Sequence, residues 1–303
     1  MENDNFYEII NCESASEFLN LFLPWNNADK FQGYVFRGHA DSSFQLVPSI
    51  LRKETIDKCW IIAGGKPISD QYLWQHWQVH LEKSLIKQFY HLSNKNGLKI
   101  PLTNKFKNVL SDADDFSSLL NFGSENWIDE ELYEVAALAQ HYGVPTRFLD
   151  WTYDPFVAIY FASRDARNNT GHMEIWAINK MYLSFLWPTT NRINVEFYTP
   201  RYSENDNINS QKGLFTHWSV ENPSMHMSVT NNLPQRMTNF APLDQLIRLQ
   251  MLNNDKTNIF KRIRISCSEA YKIFDGISSL GYNSARLFPG YDGIVKSMFD
   301  KIN

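Results

Sequence analysis

The punctuation of residues 129–166 constrains this chain more than any other feature. Leu132, Val135, Ala136 and Leu138 recur at helical spacing and predict a helix over Asp129–Gln140. Gly143 stands where a left-handed C-terminal cap would close that helix, and Pro145 follows two residues later. Thr146 to Trp151 then reads as a strand. Asp154-Pro155 supplies an N-cap and a first-turn proline for a further helix from Phe156 to Arg164. Helix, strand and helix in such close succession require a mixed fold.

The flanking sequence extends this pattern. Ser14 and Glu17 have capping-box spacing ahead of an apolar face of Phe18, Leu19, Phe22 and Leu23, and Pro24 stops that helix. Tyr34-Val35-Phe36 reads as a short buried strand ending at Arg37-Gly38. From His76 to Leu92, Trp77, Leu81, Leu85, Phe89 and Leu92 form one apolar helical face, with Glu82, Lys83 and Lys87 toward water. Asn94–Asn126 is polar and reads as an excursion or lid. Later strands are expected at Met173–Ile178, Val195–Thr199 and Arg262–Ile265, and Gly213-Leu214-Phe215 re-enters the core. The last clear helix is Glu269–Leu280, capped by Gly281. Helices gather early and strands late, which favours a single-domain α+β fold with N-terminal helices packed on a mixed or antiparallel sheet. The expected division is a helical extension over 1–30 and the domain proper over 31–303, with an insertion at about 94–126.

Composition narrows the partners. The net charge of −4 gives no global positive field for nucleic acid or anionic membrane, although a local basic patch leaves nucleic acid open. Cys12, Cys59 and Cys267 are too few and too far apart for a disulfide framework or a zinc site, as suits a reducing, cytoplasmic setting. The opening MENDNFYEII is too polar for a secretory signal, and no apolar run of ~18 residues predicts a membrane span. His76 and His80 share i,i+4 spacing, but Trp77 stands where a zinc protease needs Glu, so no metal is expected. Aromatic residues make up 15% of the chain, which suits a deep groove or an adhesive surface.

Three clusters could carry chemistry. Arg37, followed by Gly38, places a planar guanidinium where backbone can approach a ligand, a fork suited to phosphate or carboxylate. The same Arg37 could instead be a structural partner of Asp150. Leu149-Asp150-Trp151-Thr152 leads into a helix N-terminus, which favours an anion, with Thr152 as a hydroxyl donor and Trp151 as a stacking platform. Against this, Asp154 could simply cap the helix and Trp151 could fill core. His141-Tyr142 ends the preceding helix, where His can serve the helix dipole or act as a titratable cleft residue.

Three segments resemble the FRG family. They are Tyr34-Val35-Phe36-Arg37-Gly38-His39-Ala40-Asp41 with Leu46-Val47-Pro48-Ser49, then Ala139–Thr152 running on through Asp154-Pro155 to Ala162, and Gln211-Lys212-Gly213-Leu214-Phe215 with Leu287-Phe288-Pro289-Gly290. The family departs from this chain where Asn207-Ile208 replaces a basic residue ahead of Gln211, and its name implies no activity. A second, weaker resemblance is to mono-ADP-ribosyltransferases, which order an Arg on a first strand, a hydroxyl-bearing strand leading into a helix, and a later Glu or Gln-x-Glu element. That resemblance implies an ADP-ribosyltransferase-like fold, NAD as substrate, a macromolecular target and a role as toxin or defence effector. Arg37, Thr152 and Gln211 would be catalytic. Arg37, Gly38, His141, Tyr142, Asp150, Trp151 and Phe215 would bind the dinucleotide. Gln211 is not a carboxylate, so Glu174 or Asp150 are alternatives for the third position. The rival reading is a non-catalytic module that binds a nucleotide or nucleic acid through the same cluster.

Overall fold

Met173 to Ile178 is buried without a break, which requires a strand covered on both faces. The computed structural model, which describes residues 6–27, 29–63, 74–101, 127–128, 130–186, 195–218, 241–250 and 259–300, places it inside a seven-stranded sheet. The strands are β1 (Tyr7–Cys12), β2 (Tyr34–His39), β3 (Leu149–Thr152), β4 (His172–Asn179), β5 (Val195–Tyr198), β6 (Gly213–Trp218) and β7 (Phe260–Ser266). Their order is β1-β7-β4-β2-β3-β6-β5. Every neighbouring pair is antiparallel except β1 with β7. The fold is α+β in a single domain, as expected.

The principal helices are α1 (Ala15–Asn20), α2 (Lys53–Ile62), α3 (Trp74–Lys95), α4 (Tyr133–His141), α5 (Pro155–Ala166), α6 (Leu243–Gln250), α7 (Ala270–Ser279) and α8 (Tyr291–Phe299). Helices α1, α5 and α7 cover one sheet face, packing on Phe36, Ile175, Ala177, Ile263 and Ile265. On the other face, Leu81 and Leu85 of α3 and Leu243 and Leu246 of α6 meet Trp151, Trp176, Ile178 and Phe260. A third cluster joins α3 and α4 to Phe148 and Phe215.

Local signals act where the sequence puts them. Ser14 accepts from the Glu17 amide, although the Glu17 carboxylate reaches the Glu13 amide instead of Ser14. Gly143 and Gly281 sit at φ +91° and +87°, closing their helices in the left-handed region. Tyr7–Cys12 is a strand that periodicity does not reveal: it is an edge strand with Ile9 half in solvent. The β2 strand runs through Arg37-Gly38 to His39, so Arg37 lies within it.

The polar face expected for α3 needs correction. Glu82 is 1% exposed and forms a two-pronged ion pair with Arg147, at 3.0 Å from Nε and 2.7 Å from Nη2. A buried guanidinium requires a counter-charge, and that demand overrides the helical pattern. Leu92, assigned to the apolar face, is 51% exposed; Ile86 and Tyr90 are buried in its place. Of the expected lid, residues 102–126 lie outside the described residues, as does the side chain of His76.

Candidate functional site

Strand β2 keeps register with β4 along its whole length but meets β3 at one residue pair only, Phe36 opposite Thr152. A cavity of about 590 Å³ lies there, bounded by β2, β3, the 47–55 segment, the end of α4, the start of β6 and Phe288. Its floor is apolar, from Phe148, Leu149, Trp151, Phe161, Phe215 and Phe288. Its polar rim is Arg37, Arg52, Gln140, His141 and Asp150.

Arg37 is fixed from two sides. Its Nε donates to Nε2 of His39 at 3.1 Å, and Nη1 donates to the Asp150 carbonyl at 2.8 Å and to its carboxylate at 3.4 Å. Nη2 has no acceptor among the described residues. The side chains of Arg37 and Asp150 are 17% and 63% exposed, so the pair is open to water on its Asp150 side. Burial lowers the Arg37 pKa and the Asp150 charge opposes it. Burial and the neighbouring Arg37 charge push His39 down to about 3, which keeps its imidazole a neutral acceptor.

Asp150 is positioned in turn. Its Oδ1 accepts from Nε2 of Gln140 at 2.6 Å, and the Gln140 carbonyl oxygen accepts from the Thr146 hydroxyl. Among the described residues no other carboxylate lines the cavity. Burial lowers the His141 pKa against the pull of Asp150, so at neutral pH the ring carries little charge to offer the α4 dipole.

Several expected roles fall differently in three dimensions. Gly38 lines the cleft, but a Cβ there would lie 2.0 Å from the Ala158 carbonyl oxygen; its glycine serves the contact between β2 and α5. Trp151 is core, its Nε1 donating to Thr216 at 2.9 Å. Thr152 donates to the Gln211 carbonyl at 2.7 Å and accepts from the Asp154 amide. The Gln211 amide donates to the Leu287 carbonyl at 3.1 Å, tying down the turn that carries Phe288. Phe215 is buried and stacks on Phe148 at 4.8 Å. Tyr142 is 70% exposed and does not line the cleft. Glu174 is fully buried, held by Arg262 and Arg264, and lies outside the cavity wall.

The α5 N-terminus is not open to an anion, because the Asp154 carboxylate already accepts from Phe156 and from the Tyr282 hydroxyl. Sequence reasoning missed Arg52. It lines the cleft, and its Nε and Nη2 both donate to the Val47 carbonyl, at 3.2 and 3.1 Å. The Pro48-Ser49 turn ahead of it was the available signal.

Among the described residues, no helix is long and apolar enough to cross a membrane and no group of three or more His, Cys, Asp or Glu is placed to hold a metal. No curated protein and no solved structure matches the chain. Residues 32–171, which carry β2, β3 and α5 and with them both Arg37 and Asp150, match the family model of the FRG domain.

Proposed function

We propose that the cleft takes a dinucleotide of the NAD class and that the protein transfers ADP-ribose from it to a macromolecular acceptor, as a toxin or defence effector would. One observation carries this reading: a guanidinium with a free Nη2 and an exposed carboxylate face one aromatic-floored cavity. Its size is that of a small-molecule site. Arg37 suits a phosphate or ribose oxygen, and Phe161 and Phe288, both half-buried, suit the flat heterocycle.

The transfer breaks the C–N bond between nicotinamide and C1′ of its ribose, and the bonding electrons leave with nicotinamide. A nucleophile on the acceptor forms the new bond to C1′ and gives its proton to a carboxylate. In this reading Asp150, a carboxylate on the cavity lining, takes that proton and supports the positive charge that develops at C1′. Gln211 and Thr152, committed to the protein's own backbone, act as positioning residues.

Incubation of the purified chain with NAD tests this directly. Release of nicotinamide is expected, falling about a hundredfold in Asp150→Asn; unchanged release in that variant would overturn the assignment. A second reading, binding without turnover, is favoured by the engaged Gln211 amide and Thr152 hydroxyl. It predicts a thermal shift with NAD and no nicotinamide.

A further inference from the structure

Arg52 and Arg37 line the same cavity, one from the segment before α2 and the other from β2. They are close enough for the charge of Arg52 to depress the Arg37 pKa. Asp150 is the one carboxylate lining the cavity among the described residues, and it already faces Arg37. Arg52 has no carboxylate partner among the described residues, although ordinary surface arginines find counter-charges readily. It is nevertheless held still, by two hydrogen bonds to a single carbonyl, with Nη1 left over. Fixing a long, rotamer-rich side chain costs entropy. Two preorganised cations that repel one another, each with a spare N–H group, form a site complementary to a dianion.

We infer that Arg37 and Arg52 form a clamp for a diphosphate group, with Nη2 of Arg37 and Nη1 of Arg52 as donors and Thr55 also on the cavity lining. This deepens the proposed reading by assigning the pyrophosphate bridge of the dinucleotide to the 47–55 side of the cleft. The remainder of the ligand would then extend over Phe161 and Phe288 toward Asp150.

Titration calorimetry of the full chain with pyrophosphate and, separately, with ADP-ribose tests the clamp. Pyrophosphate should bind, and Arg52→Gln should weaken it about tenfold, the loss of one charge-assisted pair. Arg52→Lys keeps the charge but loses the fork. It should weaken pyrophosphate about threefold, and it replaces the Gln variant if that one melts early. Failure of the wild-type chain to bind pyrophosphate, or equal binding by these variants, overturns the clamp. Pyrophosphate binding that depends on Arg52, combined with no binding of ADP-ribose, would leave the clamp standing and remove the dinucleotide reading.

Discussion

At Arg37, charge and shape can be separated. Lysine keeps the charge but cannot reach His39 and Asp150 together, so Arg37→Lys should weaken binding of ADP-ribose about tenfold. Because Asp150 is largely in water, the same change should cost no more than about 1 kcal/mol in a denaturation curve. A loss of ~3–5 kcal/mol would instead mark a structural network. The paired motifs around Arg37 and Asp150 made both residues legible in the sequence. Arg52 was not, because its importance comes from the wall it occupies and only the packing of 46–51 puts it there. Gly38 was legible as a close approach, but its contact with α5 was not, since a strand sequence does not say which helix lies behind it.

Among the elements, α3 and the segment entering β3 are joined by the Glu82–Arg147 pair, with Gln78 donating to Glu82 at 3.0 Å. Glu82→Gln leaves a buried guanidinium uncompensated and should cost ~3–5 kcal/mol by chemical denaturation. Glu82→Leu with Arg147→Met should recover most of that loss. At the β2–α5 contact, Gly38→Ala pushes a methyl group into the Ala158 carbonyl and should cost about 3 kcal/mol or more, read as a shift in denaturation midpoint. Helices α4 and α5 were legible because their ends are written in Gly143, Pro145, Asp154 and Pro155. The α3 surface was less so: its Leu81 and Leu85 face one cluster and its Ile86 and Tyr90 another, and a helix buried on two sides loses the contrast that periodicity needs.

At the scale of the whole molecule, two buried neutral histidines among the described residues, His39 and His217, contribute to the response to acid. His39 faces Arg37, Arg52 and Arg262; His217 faces Arg147, with Glu196 at 3.6 Å. Both are held at about 3, against an ordinary 6.5. Below pH 6.5 the unfolded chain takes up protons that the folded chain refuses. Stability is therefore complete above that pH and lost as pH falls toward 3, at about 1.4 kcal/mol per pH unit per histidine. His217→Gln should flatten the stability profile between pH 6.5 and 5, where ordinary carboxylates stay ionised. The fold class was legible from the order of elements, but the strand order was not, since pairing joins distant stretches: Glu8 and its partner Lys261 are 253 positions apart. That separation matters on the ribosome. Among the described strands, β1 comes first in the chain and pairs only with β7, which comes last, and β7 also closes the open side of β4. Translation must pass Ser266 before the sheet can close. A chain released earlier emerges with β1 unpaired and the β7 side of β4 open, so premature products should be captured by chaperones or degraded rather than persist as a smaller folded protein.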